Sequence, residues 1–201
     1  MKTKSKLANL KQLVKIRKPI FSSKKRRVSR ANTIYDLRAA AKKCTPRGPF
    51  DYTDGAADQE ITLNKARQSF ENIEFQPHIL RDVSSVSLST TMLGKSYSMP
   101  VGIAPTGFTR MMNVEGEIAG SGAAKEFGIP FTLSTMGTTS IEGVAQNAPG
   151  GSNFFQLYLW RDRDRSLELI QRAEKAGYDG LVLTVDAQVA GARLRDVRNG
   201  L

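Results

Sequence analysis

Between Met99 and Val185 the chain alternates short apolar runs with helical patterns at a spacing of about 25 residues, and this rhythm restricts its possible folds. PVGIA (100–104), PFTLS (130–134), NFFQLY (153–158) and GLVLTV (180–185) read as strands, the last as a buried one. Glu115 to Phe127, a short stretch around Ile141–Gln146, and Asp164 to Ala176 read as the intervening helices. Asn113 is a candidate cap for the first of them, and Glu115 and Glu117 suit its dipole. In the third, Leu167, Ile170, Ala173 and Ala176 form one apolar face, Glu168 and Arg172 are spaced to pair, and Gly177 supplies the C-terminal left-handed position. Strand–helix–strand repeats of this kind make parallel βαβ units with right-handed crossovers. Two architectures accept them, an open doubly wound sheet and a (β/α)8 barrel.

The placement of polar residues separates the two. Each strand turns polar at its C-terminal end, in APTG (104–107), STMGTTS (134–140), QLY (156–158) and TVD (184–186). A barrel gathers its chemistry from the C-terminal ends of successive strands, whereas an open sheet concentrates it at one switch point, usually beside a glycine-rich phosphate loop. Neither G-x-G-x-x-G nor G-x-x-x-x-G-K-[ST] occurs. The expected class is therefore α/β, a TIM (β/α)8 barrel. A whole barrel takes about 250 residues, and here the first strand begins only near residue 99. The expectation is a barrel truncated after about four βα strands, with unpaired edges and one open core face.

Ahead of the barrel pattern lies a helical lead-in. Thr33 to Ala41 reads as a helix capped by Asn32 or Thr33 and broken by Thr45-Pro46-Arg47-Gly48-Pro49. A second helix is expected over 56–70, then short strands near Ile73–Phe75 and Val86–Ser89. Residues 1–31 differ from everything after them. They hold twelve of the 30 Lys and Arg and no acid, so the remaining 18 basic residues nearly balance all 19 acidic ones. The net charge of +11 thus belongs to a basic N-terminal arm (1–31), and the domain (32–201) is close to neutral. Such an arm could be a solvated tail, or could meet an anionic membrane surface, which attracts basic residues at about 1 kcal/mol each. No aromatic residue interrupts KKRRVSR, so specific nucleic-acid binding is not expected. No apolar run approaches the roughly 20 residues of a membrane span, and no signal-peptide core follows the charges. A cytoplasmic location, peripheral at the membrane's inner face if the arm binds there, is the expectation. The lone Cys44 excludes an internal disulfide and a cysteine-based zinc cage, and no metal site is expected.

Six motifs in order, FDYTDGA (50–56), IAPTG (103–107), EGE (115–117), LSTMGTTS (133–140), FFQLYLW (154–160) and LTVDAQVAGARLRDVRNGL (183–201), closely resemble the FMN-dependent L-2-hydroxy acid dehydrogenases and oxidases. The ending and FDYTDGA look most like the bacterial L-lactate dehydrogenase branch. The resemblance spans about residues 33–201 and implies a barrel carrying FMN across its C-terminal mouth, in a chain roughly twice as long.

The implied roles fit the chemistry of oxidising a 2-hydroxy acid. Arg193 matches the arginine that pairs with the substrate carboxylate, to which a planar guanidinium is suited. Tyr52 matches a tyrosine that donates to the same carboxylate, and Tyr158 one that stands beside the substrate hydroxyl. Asp186 matches the acid that orients the catalytic histidine and stabilises its imidazolium. For FMN, the backbone of Pro105, Thr106 and Gly107 matches the segment near N5, while Ser134, Gln156 and Thr184 match side chains bonding the polar edge of the ring. Structural alternatives stand beside these roles. Tyr52 could be a packing tyrosine, Asp186 the N-cap of a following helix, and Arg195 and Arg198 surface or FMN-distal residues. His78, the only histidine, lies in a loop before the first barrel strand, away from the strand ends.

Two departures from the family pattern are Asn113, where histidine is common, and Ala187-Gln188, in place of the usual Thr-Pro. The base histidine, flavin-contacting lysine, second carboxylate arginine and phosphate loops of the family belong to later strands. The functional expectation is FMN-dependent oxidation of an L-2-hydroxy acid, foremost L-lactate to pyruvate, passing electrons to an acceptor that the sequence does not identify. The full-length family implies a homo-oligomer. The alternatives are a non-catalytic fragment or relic of such an enzyme and, from another class, a basic-armed interaction module.

Overall fold

A computed structural model describes residues 20–186 and 189–200. The first part of the arm and the Ala187-Gln188 departure lie outside the described residues. The chain divides into two compact units, Met1–Pro46 and Arg47–Leu201.

In the first unit, α1 (Ser23–Arg30) lies within the basic arm, for which no helix was expected, and is capped by the Ser22 hydroxyl, which accepts from the Lys25 N–H at 3.4 Å. Helix α2 (Ile34–Cys44) starts at Thr33 rather than Asn32. The Thr33 hydroxyl accepts from the Asp36 N–H and the Asp36 carboxylate accepts from the Thr33 N–H, a reciprocal capping box.

The second unit opens with α3 (Arg47–Asp54), placed where the sequence was expected only to break. Pro49 is accommodated because it falls in the first turn, where backbone N–H groups have no helical partner. Helix α4 (Ile61–Glu71) begins later than expected. The strands expected near Ile73–Phe75 and Val86–Ser89 do not form, since no neighbouring strand among the described residues offers them a ladder, and Phe75 is 96% exposed. Instead β1 (Thr90–Met92) and β2 (Lys95–Tyr97) make a hairpin across Leu93-Gly94. Both turn residues have positive φ, 51° and 78°, the requirement of a two-residue turn matching strand twist.

Next come a 3-10 turn (Thr109–Met111) and α5 (Gly116–Phe127), then β3 (Phe131–Ser134), α6 (Ile141–Asn147), β4 (Asn153–Tyr158), α7 (Arg163–Lys175), β5 (Gly180–Thr184) and α8 (Leu194–Arg198). Strands β3, β4 and β5 pair in parallel in sequence order. The expected strand at 100–104 is reduced to one parallel bridge, Ile103 to Phe131. Prolines at 100 and 105 cannot donate to a ladder, which confines pairing to the four residues between them, of which Ile103 alone is bridged.

Period-two alternation gives the sheet its faces. Phe131, Leu133, Phe155 and Leu157 pack with Ala124, Ile141, Val144 and Ala173 of the covering helices. The intervening Ser134, Phe154 and Gln156 are buried on the opposite face. Helix α7 turns Leu169, not Leu167, towards the core, and Leu167 is exposed. Arg172 forms a two-bonded ion pair with Glu142 on α6, at 2.8 and 3.0 Å, in place of a direct pair with Glu168. The cross-helix partner meets both guanidinium donors at once, which one helical turn does not require of it.

β4 is buried almost throughout, but β5 is not the buried strand its composition suggested: Leu181, Val182 and Leu183 are 44, 41 and 49% exposed. Among the described residues nothing pairs with its far edge. At the N-terminal end of the sheet, the hairpin and residues 99–104 bound a mostly apolar cavity of about 410 Å³, with Tyr97, Val101, Phe154 and Val182 among its walls. Tyr97 OH and Ser152 Oγ are 2.9 Å apart, Ser152 donates to Asp179 at 2.5 Å, and Lys95 pairs with Asp179, so polar contacts tie the hairpin to the loops before β4 and β5.

Candidate functional site

The opposite, C-terminal end of the sheet carries the polar residues. Ser134 and Thr184 end β3 and β5, and Gln156 lies between them near the end of β4, where it pairs in register with Val182, two residue pairs before Tyr158 with Thr184. The Gln156 amide joins all three: Ser134 Oγ donates to its Oε1 at 3.1 Å, and its Nε2 donates to Thr184 Oγ1 at 2.8 Å. Gln156 is 2% exposed, so these bonds meet the cost of burying a primary amide.

Two residues without a sequence-derived role complete the arrangement. Thr135 sends its hydroxyl to the Gln156 carbonyl at 2.5 Å and accepts the Tyr158 N–H at 3.0 Å. The Met136 N–H donates to Ser134 Oγ at 3.1 Å, and its carbonyl accepts the Phe108 N–H at 3.0 Å. That last bond places the Pro105-Thr106-Gly107 segment beside the loop following β3. A Cβ at Gly107 would stand 2.9 Å from Met136 Cβ, so the approach requires glycine. Among the described residues, no hydrogen bond is made to the Thr106 or Gly107 N–H, and Thr184 Oγ1 retains its own proton for another acceptor.

Glu117 supports this loop from beneath. Its carboxylate, 2% exposed, accepts the Thr138 N–H at 2.6 Å and the Thr138 and Thr139 hydroxyls, each at 2.8 Å. Burial pushes its pKa up, but the Thr138 N–H and hydroxyl outweigh that and hold it at about 2. The helix-dipole role expected from sequence is therefore the smaller part of what Glu117 does. Asn113 is not the cap expected: the N-cap position of α5 is Glu115, which makes no side-chain capping bond, and Asn113 Oδ1 accepts the Glu115 N–H at 3.2 Å in the turn ahead of the helix.

A second group assembles around Arg193, the residue before α8. Its Nε donates to Asp196 at 2.5 Å, Nη2 donates to the Tyr52 carbonyl, and its guanidinium carbon lies 4.6 Å from the centre of the Tyr52 ring. Tyr52 also meets Phe108 edge-on, with ring centres 5.9 Å apart. Tyr52, Phe108, Met111, Gly191, Arg193, Asp196 and Val197 line an open cavity of about 450 Å³.

Tyr52 and Arg193 meet because the lead-in is fastened to α8. Arg195 pairs with Asp54 at 3.0 Å and Glu60 at 2.5 Å, Asn199 donates to Asp51 at 2.8 Å, and the Asp58 N–H bonds the Ala192 carbonyl at 2.7 Å. Arg195 is thus half-buried in an ion-pair network rather than at the surface, because the side chains of Asp51, Asp54 and Glu60 converge on α8. Arg198 is exposed, as is Asp186 just past β5.

The two groups are linked through Phe108, which touches Tyr52 on one side and Met136 on the other. Phe108 has φ 54°, an unusual value for a residue with a side chain and one that often marks functional loops. Tyr158 belongs to the strand-end group, while His78 lies in an exposed loop outside both. Among the described residues no group of His, Cys, Asp and Glu could hold a metal. The missed residues, Thr135, Met136, Phe108 and Asp196, all lie within or beside the quoted motifs, and their neighbourhood was the only signal available.

Residues 41–201 match the FMN-dependent dehydrogenase family, and the chain belongs to it. It is 53% identical to a provisionally named L-lactate dehydrogenase of Mycobacterium tuberculosis over 193 residues, covering 96% of this chain and 47% of that protein. It is 41% identical to glycolate oxidase of Spinacia oleracea, covering 83% of this chain and 45% of the relative. A solved mandelate oxidase, bound to 3,3-difluoro-2-hydroxy-3-phenylpropionic acid, superposes with a TM-score of 0.80 at 38% identity, covering 84% of this chain and 50% of that one. The chain spans about half the length of the relatives it matches.

Proposed function

We propose that this chain supplies the opening half of a (β/α)8 barrel that oxidises an L-2-hydroxy acid with FMN, and that L-lactate is its substrate. The observation carrying this reading is the union of a Tyr52–Arg193 cluster with a three-strand polar chain, bridged by Phe108, in a member of the FMN-dependent dehydrogenase family. L-lactate is favoured over glycolate and mandelate by the 53% identity to the lactate-named relative.

The donor set suits a flavin ring edge. Ser134, Gln156 and Thr184 present fixed amide and hydroxyl groups at the strand ends, and the free N–H groups of Thr106 and Gly107 can donate to a ring nitrogen or carbonyl. When bound, FMN would accept the hydride; orienting the reactants falls to the protein. Arg193 and Tyr52 would hold the substrate carboxylate, Tyr158 would hydrogen-bond its hydroxyl, and Asp186 would orient a histidine base contributed from outside residues 1–201. Fixing the acid at its carboxylate presents the α-carbon in one orientation, which is where much of the rate advantage of a bound substrate arises.

The test uses residues 1–201 continued by the C-terminal half of the Mycobacterium tuberculosis relative, loaded with FMN and mixed anaerobically with L-lactate, glycolate or (S)-mandelate. L-lactate is expected to bleach the flavin fastest, and Arg193→Ala to raise its KM at least tenfold. If none of the three acids reduces the flavin, the reading is wrong. Faster reduction by glycolate or mandelate would reassign the substrate.

We further infer that the basic arm binds anionic membrane surfaces through charge alone, since twelve basic residues accumulate in 1–31 without an acid. Pelleting with phosphatidylserine vesicles is expected at low salt and should vanish at about 1 M salt, where screening is nearly complete. Pelleting that survives that salt would contradict a charge-only attachment.

A further inference from the structure

The geometry points to Asp196 as the residue that positions Arg193, so that a carboxylate is received end-on by the two terminal guanidinium nitrogens. This rests on the carboxylate-binding reading of Arg193 above and assigns a second residue to that site.

A guanidinium offers a carboxylate two bidentate edges: a side-on edge, Nε with one Nη, and an end-on edge, the two Nη groups together. In this chain the side-on edge is occupied. Nε donates to Asp196 Oδ2 at 2.5 Å, and one Nη2 proton goes to the Tyr52 carbonyl. Among the described residues Nη1 has no hydrogen-bond partner, and together with Nη2 it forms the remaining edge. The guanidinium is also held over the Tyr52 ring at 4.6 Å, which fixes its plane. Three contacts on a side chain otherwise rich in rotamers make a preset receptor, and little ordering is left for the ligand to impose.

The surroundings of Asp196 show that it is built into the site. It is 8% exposed, it lines the same 450 Å³ cavity as Tyr52 and Arg193, and its second oxygen, Oδ1, is buried without a hydrogen-bond partner among the described residues. A carboxylate serving only to cap or solubilise a five-residue helix would not be buried with one oxygen unsatisfied, because that arrangement costs stability. Its offsetting interaction is the charge-assisted bond to Arg193. Asp196 also neutralises Arg193 in part, so the cavity suits a single carboxylate and disfavours a second negative charge at the same place.

The experiment uses the FMN-loaded barrel in which residues 1–201 are continued by the C-terminal half of the Mycobacterium tuberculosis relative. Oxalate and pyruvate binding are read from the flavin spectrum, alongside KM and kcat for L-lactate, FMN content and Tm. Asp196→Asn keeps the shape but removes the charge, and is expected to weaken pyruvate binding and raise KM about tenfold with a smaller change in kcat, while FMN content stays at wild-type level. Asp196→Glu should recover part of the affinity. Arg193→Ala is the control for the underlying reading. If it leaves pyruvate affinity unchanged, the carboxylate role of Arg193 fails. If it weakens binding while Asp196→Asn stays within twofold of wild type, the positioning role of Asp196 is overturned. Should Asp196→Asn not fold, Asp196→Ser decides, and wild-type pyruvate affinity and KM in that variant would overturn the proposal.

Discussion

A polypeptide of residues 1–201 expressed by itself is expected to give no measurable L-lactate turnover and to retain well under one equivalent of FMN after free flavin is removed. The expectation follows from what the clamp and the strand-end chain lack around them. The resemblance places the base histidine and the phosphate loops on later strands, and His78, the only histidine here, is exposed in a loop outside both groups. A general base is typically worth 10²–10⁴-fold, and a flavin without its phosphate grip loses most of its anchorage. Water also reaches the site's foundations, because β5 is an open edge with Leu181, Val182 and Leu183 each more than two-fifths exposed. Arg193 and Tyr52 can still meet, but a clamp without a closed barrel cannot hold a substrate at a fixed distance from a flavin. Absorbance near 450 nm and dye reduction by L-lactate measure both parts. Stoichiometric flavin with turnover would show that the chain completes a site by itself, and the half-barrel reading would fall.

Much of this fold was legible because its signals are local. The periods of β3, β4 and their covering helices follow from alternation within each segment, and NFFQLY contained its own register. The residues that fail to follow their sequence pattern do so for non-local reasons. PVGIA has the composition of a strand, yet its flanking prolines leave Ile103 alone on the ladder. RGPFDYTD contains two helix breakers, yet it is a helix whose acids Asp51 and Asp54 are held by Asn199 and Arg195. Leu167 fits the apolar face that spacing suggests, but the sheet beneath α7 takes Leu169.

The candidate site divides along the same line. Ser134, Gln156 and Thr184 are on strands of known register, so their meeting could be anticipated once those strands are parallel and adjacent. Tyr52 and Arg193 lie 141 positions apart, and nothing between them in sequence announces that they touch. Resemblance brought them together on paper; the ion pairs of Arg195 bring them together physically. Phe108 and Asp196 were missed because an aromatic after a glycine and an acid in a short helix have ordinary structural uses, and only their contacts set them apart.

Replacing Glu117 is expected to be strongly destabilising, and the loss should depend on pH in a specific sense. Glu117 has its pKa lowered from 4.5 to about 2, against the upward push of burial, by the Thr138 N–H and hydroxyl. A carboxyl depressed on folding stabilises the protein when ionised, so its contribution is complete above about pH 4.5 and is lost as pH falls towards 2. A shift of that size corresponds to roughly 3 kcal/mol. Glu117→Gln retains the shape and one acceptor but removes the charge, so it should lower stability at neutral pH by about 2–3 kcal/mol. It should also flatten the stability profile below about pH 4.5, because the titrating group is gone. Glu117→Ala leaves the Thr138 N–H without its acceptor and should cost still more. The damage should reach the site as well. The loop that Glu117 braces carries Thr135 and Met136, which hold Gln156 and Phe108, so FMN affinity should fall together with stability. Urea denaturation of the barrel-completed protein at about pH 7 and about pH 3 separates the alternatives. A Glu117→Gln variant within about 0.5 kcal/mol of wild type at neutral pH, or one with the same loss at both pH values, would mean that the loop is held by its own turn geometry and that the buried carboxylate is incidental.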